Sequence, residues 1–162
     1  MYNGGMENKK KRVYVDSSVV YGAPAKEFSQ YSKQFWTAVR NGEIVIIVSD
    51  VLDDEIERAP VHIRASFESV PKSQIERIVS IPESNALATQ YLAENVVGKT
   101  SFDDCRHIAL ATIANADAIV SWNFGHIVER RDDYNDVNEK LGYPIVTIQS
   151  PKQFLEATNG ET

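Results

Sequence analysis

Short aliphatic segments alternate along this chain with segments of helical spacing, and this alternation constrains the fold more than any other feature. Residues 13–15 and 44–48 are continuous runs of the kind found in strands covered on both faces. Further strands are predicted at residues 78–81, 118–120 and 144–148. Strands that alternate with helices are typical of an α/β domain, with a central, mostly parallel sheet flanked by helices.

The helices between these strands are predicted from apolar spacing and from capping residues. They cover residues 24–40, 50–58, 60–70, 83–95 and 102–115, and a last helix opens at Pro151. Ser49 and Ser101 are of the residue type that caps helix N-termini. Proline favours the first helical position, as at residue 151.

Length and charge narrow the classes of function. A chain of 162 residues is about one domain, and we expect a flexible tail over residues 1–8 followed by one domain over residues 9–162. With 17 Lys and Arg against 23 Asp and Glu, the net charge is −6. That charge argues against a protein that coats nucleic acid, but it permits a local basic patch or a metal-bridged site.

Cysteine count and hydropathy exclude several other classes. The single cysteine, Cys105, rules out an internal disulfide and a multi-cysteine zinc site, and we expect it to be a small buried hydrophobe. The basic run at residues 9–12 leads into a strand instead of a signal-peptide core, and no apolar run reaches the length of a membrane span. We therefore expect a cytoplasmic protein.

Polar side chains follow the predicted strand ends. Asp16 comes directly after the first strand, Glu55 lies in the helix after the second, and Asn123 follows the strand at 118–120. Asp104 lies in the first turn of the helix capped by Ser101. Ligands of parallel α/β sheets bind outside the carboxyl ends of the strands. Converging carboxylates repel one another, and hard oxygen ligands of this kind select Mg²⁺ or Mn²⁺.

Each of these residues also has a purely structural interpretation. Asp16 suits a turn, Glu55 a surface pair with Arg58, Asp104 a capping box, and Asn123 a turn before Phe124-Gly125. His107, three residues after Asp104, is interpreted as a hydrogen-bonded helix histidine. The prediction of a metal site therefore depends on the set and not on any one position.

Four segments together resemble the PIN-domain ribonucleases, and among them the VapC-like toxins of toxin–antitoxin pairs. They are VYVDSS at 13–18, SDVLDDEI at 49–56, DCRHIALA at 104–111 and ADAIVSWNF at 116–124, in the family's order. The last two are the most specific. The resemblance implies a PIN-like single domain with an acidic pocket for Mg²⁺ or Mn²⁺.

The resemblance also implies a role for each matched residue. Asp16, Glu55 and Asp104 would be the catalytic carboxylates and metal ligands, with Ser18 supporting the site. Asn123 stands where the family more often has a fourth acid. Its neutral oxygen can ligate a cation but attracts a second one less, so whether one or two metals bind stays open.

The implied activity is metal-dependent hydrolysis of RNA phosphodiester bonds. The implied partners are an RNA substrate and an antitoxin protein, and a homodimer is compatible with the family. A housekeeping RNA-processing role stays open, as does a catalytically weak PIN-like module that binds RNA or protein. Haloacid-dehalogenase phosphatases and receiver domains fit poorly, because Asp16 has no second acid nearby and no lysine follows the strand at 118–120.

Overall fold

The structure, a computed structural model, describes residues 10–159, and of Thr100 only the backbone. The tail predicted over residues 1–8 lies outside the described residues. The strands are β1 Lys11–Val15, β2 Ile44–Ser49, β3 Ile75–Ile78, β4 Ala118–Val120 and β5 Ile148–Gln149. The α-helices are α1 Ser17–Tyr21, α2 Ser29–Arg40, α3 Asp50–Glu57, α4 Val61–Glu68, α5 Pro82–Ala93, α6 Phe102–Ile113, α7 Arg131–Leu141 and α8 Pro151–Asn159.

The five strands form one sheet in the order β3-β2-β1-β4-β5, and each neighbouring pair is parallel. The predicted α/β fold with a parallel sheet is confirmed. The chain passes from β1 to β2 and β3 on one side, then returns to place β4 and β5 on the other. The strand order therefore reverses between β1 and β4, where ligands bind in sheets of this type.

Both faces of the sheet are buried, which explains the continuous aliphatic run in β2. Ile47 packs in one apolar cluster with Tyr14 and Ile108. Its neighbours Ile46 and Val48 point to the opposite face and pack in a second cluster that includes Phe35. Because successive side chains of a strand alternate between faces, a strand covered on both sides has no polar face.

Two predicted strands lie elsewhere than expected. The third strand ends at Ile78 instead of covering residues 78–81, because the Ser80 backbone N–H and hydroxyl both donate to Asp50 Oδ1 and turn the chain out of the sheet. The last strand begins only at Ile148. The Val146 N–H and C=O bond the side chain of Asn135, so they are not available to a neighbouring strand.

The helix N-termini near the strand ends agree only in part with the predictions made from the sequence. Ser49 caps α3 as predicted, since its Oγ accepts from the Leu52 N–H at 3.3 Å. Ser101 occupies the N-cap position of α6, but its side chain does not cap and instead hydrogen-bonds His126 Nδ1 at 3.0 Å. The capping-box interpretation of Ser101 and Asp104 is therefore wrong. Pro151 opens α8 as predicted.

Two further observations concern the rest of the chain. Cys105 is buried as predicted, and burial raises the pKa of its thiol to about 11. In residues 10–159, every helix is too short or too polar to serve as a membrane span.

Candidate active site

Asp16 lies at the carboxyl end of β1 and is the most buried acid of the site. It is 3% exposed, and burial raises the pKa of its carboxyl group above the ordinary value. The Ser18 hydroxyl donates to Oδ1 and the Ser121 hydroxyl to Oδ2, each at 2.6 Å. Both carboxylate oxygens are thus held in place by short hydrogen bonds.

The two serines are themselves held by the loop after β4. Ser18 Oγ accepts from the Trp122 N–H at 2.8 Å, and Ser121 Oγ accepts from the Asn123 N–H at 2.9 Å. These contacts join the end of β1 to the end of β4 at the reversal of strand order. Ser18 is the supporting residue predicted from the family pattern, whereas Ser121 was not predicted. The available signal was that Ser121 follows β4 as Asp16 follows β1.

Asp104 projects from the first turn of α6 towards the same loop. Asn123 Nδ2 donates to Asp104 Oδ1 at 3.4 Å, and His126 Nδ1 lies 3.4 Å from Oδ2. Burial raises the pKa of Asp104, and the nearby Asp16 and Glu55 carboxylates raise it further, while His107 and His126 lower it. The Asn123 side-chain oxygen Oδ1 accepts from the His126 N–H at 3.1 Å, so it is engaged within its own turn.

Glu55 is held by a buried histidine. His107 Nε2–H donates to Glu55 Oε1 at 2.8 Å, and His107 Nδ1 hydrogen-bonds the Tyr14 hydroxyl at 2.7 Å. The Tyr14 hydroxyl also bonds Ser49 Oγ at 2.7 Å. Ser49 caps α3, the helix that carries Glu55. The hydrogen-bond network therefore begins and ends on α3, and it fixes α3, β1 and α6 relative to one another.

His107 sits among the acids of the site. Burial lowers the pKa of its imidazole, but the hydrogen bond and charge of Glu55, together with the charges of Asp16 and Asp104, raise it above the ordinary value. The surrounding acids therefore favour the protonated form of His107 by more than its burial disfavours that form. The interpretation as a hydrogen-bonded helix histidine is confirmed, and its partners are Glu55 and Tyr14. Glu55 pairs with His107 and not with Arg58.

The structure thus brings Asp16, Glu55 and Asp104 into one electrostatic neighbourhood, with Asn123 at its rim. Among residues 10–159, no group of three His, Cys, Asp or Glu side chains is arranged to hold a metal ion. Each predicted carboxylate ligand bonds a protein donor instead. The metal-ligand assignment of Asp16, Glu55, Asp104 and Asn123 stays a prediction.

Two solved structures are similar to this chain, and the first of them supports the fold. The crystal structure of the Mycobacterium tuberculosis sarcin-ricin loop cleaving toxin VapC20 is similar at a TM-score of 0.52, with 14% identity over 70% of this chain and 92% of that chain. The tyrosyl-tRNA synthetase of Aeropyrum pernix gives a TM-score of 0.49, with 12% identity over 86% of this chain and 52% of that chain. No curated protein sequence matches the chain.

The family match is more direct. The model of the PIN domain family matches residues 12–125, which is more than half of the chain. The matched region includes Asp16, Glu55, Asp104 and Asn123. The chain therefore belongs to the PIN domain family.

Proposed function

We propose that this protein is a metal-dependent endoribonuclease that hydrolyses RNA phosphodiester bonds. The observation that carries the proposal is the position of Asp16. This buried carboxylate lies where the strand order reverses, and its pKa is raised by burial. A buried carboxylate with a perturbed pKa beside further acids is typical of a functional site.

The three carboxylates supply donors of the chemical type that a hard divalent cation binds. Asp16, Glu55 and Asp104 offer carboxylate oxygens, and neighbouring acids raise the pKa of Asp104, so positive charge at this place would relieve repulsion. Oxygen ligands of this type suit Mg²⁺ or Mn²⁺. The Asp16 carboxylate accepts the Ser18 and Ser121 hydroxyls and also interacts with the Val19 backbone N–H, and its two oxygens together have about four lone-pair sites.

Each residue of the site has a part in the proposed reaction. Ser18 and Ser121 orient the Asp16 carboxylate, and His107 orients the Glu55 carboxylate through one of its two oxygens. The Asp104 side chain is 21% exposed, so this carboxylate is accessible to solvent. A bound Mg²⁺ or Mn²⁺ would supply activation of water and stabilisation of charge on the phosphate.

The substrate class and the biological role are proposed by analogy. PIN-domain nucleases of the VapC type cut RNA, and the structurally similar VapC20 is a toxin that cleaves the sarcin-ricin loop. On this analogy we propose that the chain is the toxin of a toxin–antitoxin pair, with an antitoxin protein as partner. A homodimer is part of the same proposal.

A second function is favoured by a specific observation. The position that more often holds a fourth acid is Asn123, and its oxygen is engaged with the His126 N–H. A PIN-like domain that binds RNA or protein with little catalysis would tolerate this arrangement. Such a domain would bind RNA regardless of the charge on Asp16.

The two functions are separated by a cleavage assay on a mixed RNA pool. Purified wild type is incubated with Mn²⁺, Mg²⁺ or EDTA, beside Asp16→Asn and the control Asp103→Asn. Asp103 is the neighbour of Asp104, but its side chain is 56% exposed and pairs with Arg106. We expect metal-dependent products from wild type and from the control, and none from Asp16→Asn. Equal products from all three proteins, or from none, would contradict the nuclease proposal.

A further inference from the structure

We propose that the groove between α1, α2 and α4 binds the single-stranded RNA that flanks the scissile phosphate. This inference rests on the proposed nuclease function and names the surface that would hold its substrate. A chain of net charge −6 must hold a polyanion near three carboxylates. A cation can bridge one phosphate to those acids, but the rest of the strand needs a surface free of negative charge.

The lining of the groove between α1, α2 and α4 carries no negative charge. It encloses about 540 Å³, and none of its eleven lining residues is Asp or Glu. Lys33 and Arg40 of α2 and His62 of α4 line it, and all three are exposed. Within residues 10–159, no side chain pairs with the Lys33 ammonium group. Arg40 donates one bond to Ser69 Oγ, and its other guanidinium donors have no partner in the described part of the chain.

A second groove on the protein does contain acidic residues in its lining. It follows β3 and is lined by the acids Asp53, Glu57 and Glu68 as well as by three cationic residues. Two of those charges are already paired, since Arg77 donates to both oxygens of Asp53 at 2.7–2.8 Å. A polyanion would meet negative charge along this second groove.

Aromatic side chains lie among the cations of the first groove. Tyr21, the last residue of α1, is 49% exposed, and Trp36 of α2 is half-buried beside it in the lining. Trp36 packs edge-on against the buried Phe35, which holds its ring in place. Aromatic faces interleaved with basic residues are how proteins bind single-stranded nucleic acid without reading its sequence.

The groove is structurally joined to the candidate active site. Helix α1 begins directly after Asp16 and ends at Tyr21, and five residues of helix span about 7.5 Å. Ser32, in the groove wall, accepts from the Trp122 indole N–H at 3.1 Å. The backbone N–H of the same Trp122 donates to Ser18, which in turn holds Asp16. A single strand of RNA bound in the groove would therefore lead towards Asp16 and the proposed cleavage point.

The test is RNA binding in EDTA, where no cation bridges the RNA to the carboxylates. Fluorescence anisotropy with a labelled 12-nucleotide single-stranded RNA is measured over a range of KCl concentrations. The variants are Lys33→Gln with Arg40→Gln, and separately Tyr21→Leu. The control, Lys72→Gln, removes a cation from the second groove. Circular dichroism and thermal unfolding check that each variant is folded.

The association constant falls as salt rises, and each single-strand phosphate contact contributes about −0.7 to the slope of its logarithm against log salt. We expect the double variant, which removes two such contacts, to make this slope about 1.4 less steep. Tyr21→Leu is expected to weaken binding about 5- to 150-fold, the range for one lost base–aromatic stack. The Lys72→Gln control should bind like wild type.

Two outcomes would overturn the proposal, and a third would concern the proposed function instead. It is overturned if the groove variants bind RNA like wild type, or if wild type does not bind RNA in EDTA. Either result alongside intact metal-dependent cleavage would mean that RNA follows another path, and the groove would then suit a protein segment instead. Loss of metal-dependent cleavage in wild type itself would be a failure of the proposed function, which the cleavage assay detects separately.

Discussion

Replacing Asp16 with Asn should stabilise the metal-free protein and remove the stabilisation that Mn²⁺ gives. The Asp16 carboxylate is 3% exposed, and transfer of an ion into such a place costs several kcal/mol. The hydroxyls of Ser18 and Ser121 return about 1.5–3 kcal/mol each. Burial raises the pKa of Asp16 by more than the His107 charge and these hydrogen bonds lower it. Asn keeps the shape without the charge, and both hydroxyls can rotate to suit it.

The pH dependence follows from the same pKa. Because the folded pKa of Asp16 lies above its unfolded value of about 3.9, the folded state binds the proton more tightly. The penalty is absent below the unfolded pKa, grows as pH rises towards the folded pKa, and stays constant above it. The stability advantage of Asp16→Asn should therefore be small at acidic pH and complete at neutral pH. We expect a gain on the order of 1 kcal/mol, or about 2–4 °C in a chain of this length.

Mn²⁺ should reverse the ranking of the two proteins. A cation at 100 times its Kd stabilises the folded state by about 2.7 kcal/mol, which corresponds to about 5–11 °C in Tm. Differential scanning calorimetry with EDTA or MnCl₂ measures both effects, with Asp103→Asn as the control that should follow wild type. If Asp16→Asn were less stable than wild type in EDTA, or gained as much from Mn²⁺, the reasoning would be refuted.

Three further predictions concern His107 and the core. His107→Leu should weaken Mn²⁺ binding about 10- to 100-fold, whereas His107→Gln keeps a donor for Glu55 and should lose less; calorimetric titration that gave equal affinities would contradict this. Since Glu55 raises the pKa of His107, their pairing should stabilise the fold below about pH 6.5 and lose this effect as pH rises through the folded pKa. Urea unfolding across pH should show that slope in wild type and not in His107→Gln. Phe35→Ala should cost about 3–5 kcal/mol in urea unfolding, because Phe35 is 0% exposed and packs against Phe154; a loss below about 1 kcal/mol would contradict the described packing.

The sheet could be predicted from the sequence because both of its faces are buried. A fully apolar run such as β2 is compatible with few environments other than a covered strand. The third strand was misplaced because residues 75–81 carry apolar side chains in more than one frame, at Ile75, Ile78, Val79 and Ile81. Only the bonds of Ser80 to Asp50 decide where that strand ends.

Helix α7 was not predicted, for a different reason. Its sequence is mostly polar, and it packs through Tyr134, Val137 and the polar Asn138. Asn138 is 0% exposed and accepts from the Tyr91 hydroxyl. A helix that buries an asparagine against a tyrosine on a distant helix carries little periodic signal of its own.

Some features of the candidate site could be predicted from the sequence and others could not. The location of Asp16 could be predicted from its position in the sequence, because an acid directly after a buried parallel strand lies at the edge of the sheet where ligands bind. The role of His107 could not, because its partners Tyr14 and Glu55 lie 93 and 52 residues away along the chain. His126 reaches Asp104 only through the turn that Asn123 forms.

A crystal grown with Mn²⁺ tests whether Asp16, Glu55 and Asp104 together hold a catalytic cation. Anomalous scattering at the manganese edge places the ion without reference to any assumed mechanism. We expect an anomalous peak within Mn–O bonding distance of Asp16 and of at least one of the other two carboxylates, and no such peak in Asp16→Asn crystals. A well-occupied Mn²⁺ elsewhere on the protein, with this site empty at saturating metal, would contradict it.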